Sequence, residues 1–288
     1  MKKLFLFFVS LLLVTICSAT QIKVVCAENF YGSVASSIGG KHVAVTSILS
    51  NPDADPHLFM TSVKTLMDMT NADIVVYNGL DYDPWMIQMI SSLKSKPIII
   101  NVGNLMGVKD GANPHIWYNP KTFPIVAEKL EFYFSKIQPD NKNYFQNNLS
   151  VFNKSFETVV NKIKTVKQLY AGTDVTATEP VFGYMADAMG LKMDGITFQW
   201  NMMNDTEPSP QVYASYIDMI KNKKVKVLFY NEQVTDQISR NILAIAEKEG
   251  VPVVGVDETM PPKEKNVTDW FLNTVNKTES ALEKGCKK

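Results

Sequence analysis

Histidine is scarce in this chain, three in 288 residues, and two of the three sit in matching surroundings. His57 lies in the sequence NPDADPHLF and His115 in NPHIWYNP, each directly after a proline. A proline fixes its own φ and restricts the backbone beside it, which favours a preorganised imidazole over a mobile one. Carboxylates that could join them come from the second half. Glu179 stands between Thr178 and Pro180, and Asp257 and Glu258 run into Thr259-Met260-Pro261-Pro262. Two neutral imidazoles and two ionised carboxylates, two groups from each half, form a donor set for a divalent transition metal. Neighbouring residues of an extended segment point to opposite sides, so only one of Asp257 and Glu258 faces such a site. Taken singly, Glu179 could equally be a helix-start acid favoured by the dipole. The third histidine, His42, lies in the polar stretch Gly40-Lys41-His42 and reads as an ordinary surface residue.

The elements that must position these groups are short apolar runs rich in Val and Ile, alternating with longer stretches of helical period. That alternation marks parallel α/β structure. The runs fall into two sets: Ile22–Ala27, Val43–Leu49, Ile74–Asn78 and Ile98–Val102, then Val175–Thr178, Met193–Phe198, Val225–Tyr230 and Pro252–Val256. Between the sets, Lys121 to about Leu169 reads as a long helix with Pro139 inside it. The expected fold is α/β, with two parallel-sheet lobes joined by a long helix and the metal site in the interlobe cleft. Its parts are a signal peptide over 1–19, an N-terminal lobe over 20–120, a helical connector over 121–169 and a C-terminal lobe over 170–288. His57, His115, Glu179 and the Asp257-Glu258 pair all follow strand candidates, at the carboxyl ends where open parallel sheets bind ligands.

Composition removes several classes. Twenty-nine basic residues balance twenty-nine acidic ones, and Arg240 is the only arginine, which argues against a nucleic-acid binder. The first residues combine Lys2 and Lys3, an apolar run from Leu4 to Ile16 and the small pair Ser18-Ala19. This is a secretory signal with cleavage expected near Ala19, since the run is shorter than the ~20 residues a membrane span requires. Ile16 before Cys17 disfavours lipid attachment there, so membrane tethering is the weaker expectation. Cys26 and Cys286 are expected as separate thiols. Trp85, Trp117, Trp200 and the Met-rich stretches Met60–Met69 and Met185–Met193 are expected in the core. No HExxH, no Gly-x-Ser-x-Gly elbow and no Gly-rich phosphate loop occurs, which leaves no recognisable catalytic constellation.

The segments VVCAENFYGSVASSIGG, DADPHLF, ADIVVYNGLDYDPWM, NPHIWYNP, ATEPVFGYMADAMGL, NDTEPSPQ, VLFYNEQVTD and VPVVGVDETMPP together resemble the metal-receptor, or solute-binding, proteins of zinc and manganese ABC importers. In that class a rigid helical backbone joins two lobes. The resemblance implies four ligands at His57, His115, Glu179 and an acid of the last pair, with Glu258 favoured and Asp257 the alternative. It implies a monomer that captures one metal ion in the periplasm and docks on an ABC permease driven by a cytoplasmic ATPase, with no catalysis and no nucleic acid. Zinc receptors of the class usually carry His where Glu179 stands and a His-rich loop that Asn104–Asn113 lacks. Mn2+ is therefore favoured over Zn2+, with Fe2+ possible, although intrinsic affinity rises from Mn2+ towards Zn2+. The competing readings are a secreted zinc-dependent hydrolase and a metal-binding surface adhesin.

Overall fold

The computed structural model describes residues 20–51, 59–233 and 236–287. The expected signal peptide and His57 lie outside them. In the first lobe β1 (Ile22–Glu28), β2 (Val43–Leu49), β3 (Ile74–Tyr77) and β4 (Ile98–Asn101) form one parallel sheet in the order β2-β1-β3-β4. The central strands β1 and β3 are covered on both faces, which is why Val24, Val25, Cys26, Ile74, Val75 and Val76 are a continuous apolar run rather than an alternating one. The crossovers are α1 (Asn29–Gly39), α2 (Val63–Thr70) and α3 (Pro84–Ser92). Helix α2 opens on Ser62, whose hydroxyl accepts the amide of Thr65 at 3.1 Å, and α3 opens on a proline that has no amide to satisfy. Past β4 come the single-turn helix α4 (Val102–Leu105) and a 3-10 turn over Ile116–Tyr118.

Two helices then carry the chain across, α5 (Thr122–Ile137) and α6 (Lys142–Tyr170). The single helix expected over Lys121–Leu169 is broken at Pro139. Proline lacks an amide and pushes the residue before it out of helical geometry, and Gln138 sits at φ −126°, ψ 77°. Helix α6 alone has 29 residues. Its buried stripe, Phe145, Phe152, Phe156, Val159, Ile163 and Val166, keeps the three- and four-residue spacing of one helical face.

The second lobe repeats the first. Strands β5 (Asp174–Ala177), β6 (Lys192–Asp194), β7 (Leu228–Asn231) and β8 (Val253–Val256) are parallel in the order β6-β5-β7-β8. Helices α7 (Gly183–Ala188), α8 (Ile196–Met203), α9 (Pro210–Lys221) and α10 (Gln237–Glu249) connect them, and α11 (Val267–Cys286) ends the chain. The strand expected over Met193–Phe198 stops at Asp194. Gly195 takes φ 75°, reverses the chain in a conformation open to glycine, and starts α8.

One aromatic-rich core joins the lobes, bringing together Phe30 of α1, Trp117, Phe123 of α5, Phe156 of α6, Phe182, and Trp270 and Phe271 of α11. Separate apolar clusters fill the far faces of the two sheets, around Trp85 and Met86 in the first and around Phe198 and Tyr216 in the second. Met185 and Met189 are buried as expected. Met60, which precedes α2, and Met67 are not, at 85% and 60% exposure; Met67 lies off the Thr65–Met69 face of α2 that is buried. His42 packs edge-on against Tyr144 of α6, 4.8 Å between ring centres. Cys26 is buried, Cys286 is exposed, and both are free thiols.

Candidate metal centre

His115 follows Pro114 at the mouth of the 3-10 turn and is fully buried. Its Nδ1 is 2.7 Å from Asn113 Oδ1, which also accepts the His115 amide at 3.0 Å. The amide nitrogen of Asn113 donates to Pro180 O at 2.7 Å, so Oδ1 is the acceptor and the imidazole proton must reside on Nδ1. A neutral ring held this way presents the lone pair of Nε2, the arrangement that orients metal-binding histidines. Asn78 steadies the preceding residue by donating to Pro114 O at 2.9 Å. Tyr82 and Trp117 wall the imidazole, with ring centres 6.0 and 5.1 Å away.

Glu258 enters from the other lobe, two residues past β8, and is also fully buried. Asn231, the last residue of β7, donates to its Oε1 at 2.6 Å. Its Oε2 lies 3.6 Å from His115 Nε2, beyond hydrogen-bonding reach. Two donors each ~2.1 Å from one ion and a tetrahedral angle apart stand ~3.4 Å from each other, close to the separation seen. Gln233 fixes the backbone beneath: its Oε1 accepts the amides of Glu258 and of Thr259, the latter at 3.0 Å, and its Nε2 donates to Thr259 Oγ1 at 2.9 Å.

Asp257 points elsewhere. It is only partly buried, and its carboxyl is pushed up to about 7, first by burial and then by the Glu232 carboxylate beside it. Of the two adjacent acids, it is the Glu258 carboxylate that approaches the imidazole.

Glu179 is buried at 3% exposure, at the start of the 3-10 turn Pro180–Phe182 that follows β5. Its neighbours tie it to the other groups, since Thr178 Oγ1 accepts the Asn231 amide at 3.2 Å and Pro180 O is the acceptor for Asn113. Among the described residues, no three His, Cys, Asp or Glu side chains stand together as a group able to hold a metal. The structure therefore brings His115 and Glu258 together and sets Glu179 at an adjoining strand end, while His57 lies outside the described residues.

A second buried acid pair, Glu28 and Asp83, occurs in the first lobe and has no counterpart in the sequence reading. Asp83 closes a turn in which Gly79, Leu80 and Asp81 take φ values of 76°, 58° and 61°. Its carboxylate accepts the amides of Asn78 and Gly79 at 2.7 and 2.8 Å. Burial pushes Asp83 up to about 6 against these bonds. Glu28, at the end of β1, is held well above the carboxylate range by burial first and then by Asp83. The amides Asn78, Asn113, Asn231 and Gln233 were also missed. Their one sequence signal is that Asn and Gln, elsewhere turn residues, here sit at strand ends or beside the histidine.

A family profile described as the zinc-uptake complex component A, periplasmic, matches residues 24–285. The manganese-binding lipoprotein MntA of Bacillus subtilis is 24% identical over 240 residues, covering 80% of this chain and 77% of its own length. The manganese ABC transporter substrate-binding lipoprotein PsaA of Streptococcus pneumoniae is 22% identical over 260 residues, covering 82% and 79%. The periplasmic zinc-binding protein TroA of Treponema pallidum shares the fold, with a TM-score of 0.77 and 17% identity over 91% of this chain and 99% of its own.

Proposed function

The chain belongs to the periplasmic zinc-uptake component A family, and on that premise we propose that it is an extracytoplasmic solute-binding protein. Its substrate is a divalent transition-metal ion, which it captures and delivers to an ABC importer. The observation that carries this reading is the 3.6 Å approach of His115 Nε2 to Glu258 Oε2. Each group is held from behind by an amide, and each comes from a different lobe. The relatives' names, a manganese-binding lipoprotein and a manganese ABC transporter substrate-binding lipoprotein, point to the same role. They are names of binding and transport proteins, so the hydrolase reading gains no support.

His57, His115, Glu179 and Glu258 are the proposed ligands, with Asp257, whose carboxyl lies beside Glu232, the alternative to Glu258. Two imidazoles and two carboxylates are a comparatively hard set that suits Mn2+, with Zn2+ next and Fe2+ third. The two carboxylates balance the charge of the ion, and acid should release it because a protonated imidazole cannot ligate. The partners are an ABC permease and its cytoplasmic ATPase, met by a monomeric receptor released to the periplasm by cleavage near Ala19. Among the described residues no helix is long and apolar enough to cross a membrane.

Elemental analysis of protein purified without added metal, followed by competition titration of Mn2+ against Zn2+, tests the proposal. One bound equivalent, lost in His57→Ala, His115→Ala and Glu179→Ala, is expected. A chain that holds no stoichiometric metal and is not stabilised by any divalent ion would sink it.

A further inference from the structure

The acid-bearing segment Asp257–Met260 belongs by sequence to the second lobe, yet side chains of the first lobe grip it at both ends. At one end the Tyr118 hydroxyl donates to Asp257 O at 2.9 Å and receives the Asp257 amide at 3.3 Å. At the other, Asn29 makes a two-way clamp on Met260. Its Nδ2 donates to Met260 O at 2.8 Å and its Oδ1 accepts the Met260 amide at 2.8 Å. Asn29 is the first residue of α1, 231 positions away in sequence. Between the clamps, Tyr82 reaches Glu258 O at 3.5 Å, and only Gln233, from the second lobe, holds the amides of Glu258 and Thr259.

We propose that Asn29 is a positioning residue for metal binding. It fixes the backbone two residues beyond Glu258, and with Tyr118 it keeps the Glu258 carboxylate aligned on His115 Nε2. The hydrogen bonds of the side chain go to the Met260 backbone, and nothing in its type or spacing marks it as a ligand. Its effect passes through the four-residue segment, where each backbone amide has a partner from a side chain. Supporting groups one step removed from a metal commonly alter affinity by ~10–100-fold. This inference rests on the metal-receptor reading above.

Dissociation of Zn2+ from the loaded full-length mature protein into excess chelator, followed by stopped flow, tests it. Asn29→Ala should release zinc on the order of tenfold faster than wild type. Asn29→Asp keeps the acceptor for the Met260 amide but loses the donor, and should fall between. Tyr118→Phe, which removes one hydroxyl, should move the rate in the same direction. A purely structural role would not predict the decisive readout: in a Glu258→Ala background, adding Asn29→Ala should change the rate by less than about twofold, because the group being positioned is gone. The Co2+-substituted Asn29→Ala protein should also show an altered ligand-field spectrum. Rates within about twofold of wild type in both Asn29→Asp and Tyr118→Phe overturn the proposal even if Asn29→Ala fails to fold. So does an undiminished Asn29→Ala effect without Glu258. A wild-type chain that takes up neither Zn2+ nor Mn2+ and is stabilised by no divalent ion overturns the receptor reading itself, a result visible before any variant is made.

Discussion

At the scale of single residues, the adjacent acids Asp257 and Glu258, just past β8, differ in their surroundings: Glu258 approaches His115, and Asp257 lies beside Glu232. Glu258→Ala should lower metal affinity by at least tenfold in a competition titration, whereas Asp257→Ala should change it by less than about threefold. Equal losses would mean that the two carboxylates share the ion. The buried Glu28 makes a separate prediction about acidity. Its raised folded-state pKa means that the native protein holds the proton more tightly than the unfolded chain does. The associated stability is complete below the ordinary glutamate range and is lost as pH rises; for Asp83 the loss runs up to about 6. Glu28→Gln removes this titration. Melted in chelator at pH 5 and pH 8, wild type should lose more stability towards pH 8 than the variant. The variant should be ahead at pH 8 by roughly 2–4 °C, the shift expected of about 1 kcal/mol in a chain this size. Of the proposed ligand set, His115 and the Asp257-Glu258 pair could be singled out in the sequence because ligand chemistry needs particular residue types after particular strands, and the preference for Glu258 within the pair came from the family resemblance. Asn29, Asn113 and Gln233 were not, because a buried amide reports its role only through what it meets in space, and for Asn29 that partner is 231 residues away.

At the scale of elements, strands were readable wherever burial on both faces forced an unbroken apolar run, as in β1 and β3. They were misread where one residue overrode the pattern. Met193–Phe198 is apolar enough for a strand, but Gly195 turns it after Asp194. A side chain at Gly195 would have to adopt φ 75° and would place its Cβ 2.6 Å from the Tyr216 ring. Gly195→Ala should therefore destabilise the protein by about 2–4 kcal/mol in denaturant unfolding. A loss below 0.5 kcal/mol would show that Tyr216 and α9 yield easily. Pro139 had the same kind of effect on the connector, and here the sequence supplied the reason in plain view. A helix pattern with an internal proline is two helices unless neighbouring groups satisfy the backbone it frees.

At the scale of the whole molecule, the two lobes share one aromatic core and are bridged by α1, α5, α6 and α11. Metal capture should accordingly change the overall dimensions little. Small-angle scattering with and without a saturating ion should give radii of gyration within about 1 Å, and a larger contraction would point to hinge closure around the ligand. Binding should still register in stability, by about 2.7 kcal/mol at a hundredfold excess of ion over its dissociation constant.

The bridging bonds have a further consequence. Asn113 to Pro180, Tyr118 to Asp257 and Asn29 to Met260 join the lobes beside His115 and Glu258, so the alignment of these two groups is established when the chain folds, before any ion arrives. A receptor of this kind loses little further entropy on loading and covers little new apolar surface. Calorimetry over a range of temperatures should then give a heat-capacity change near zero, and the rate of capture should follow how readily each ion sheds its hydration water. Slow-dehydrating ions would load slowly into the same cavity that takes fast ones at once, a kinetic sieve set by the ion's own hydration shell.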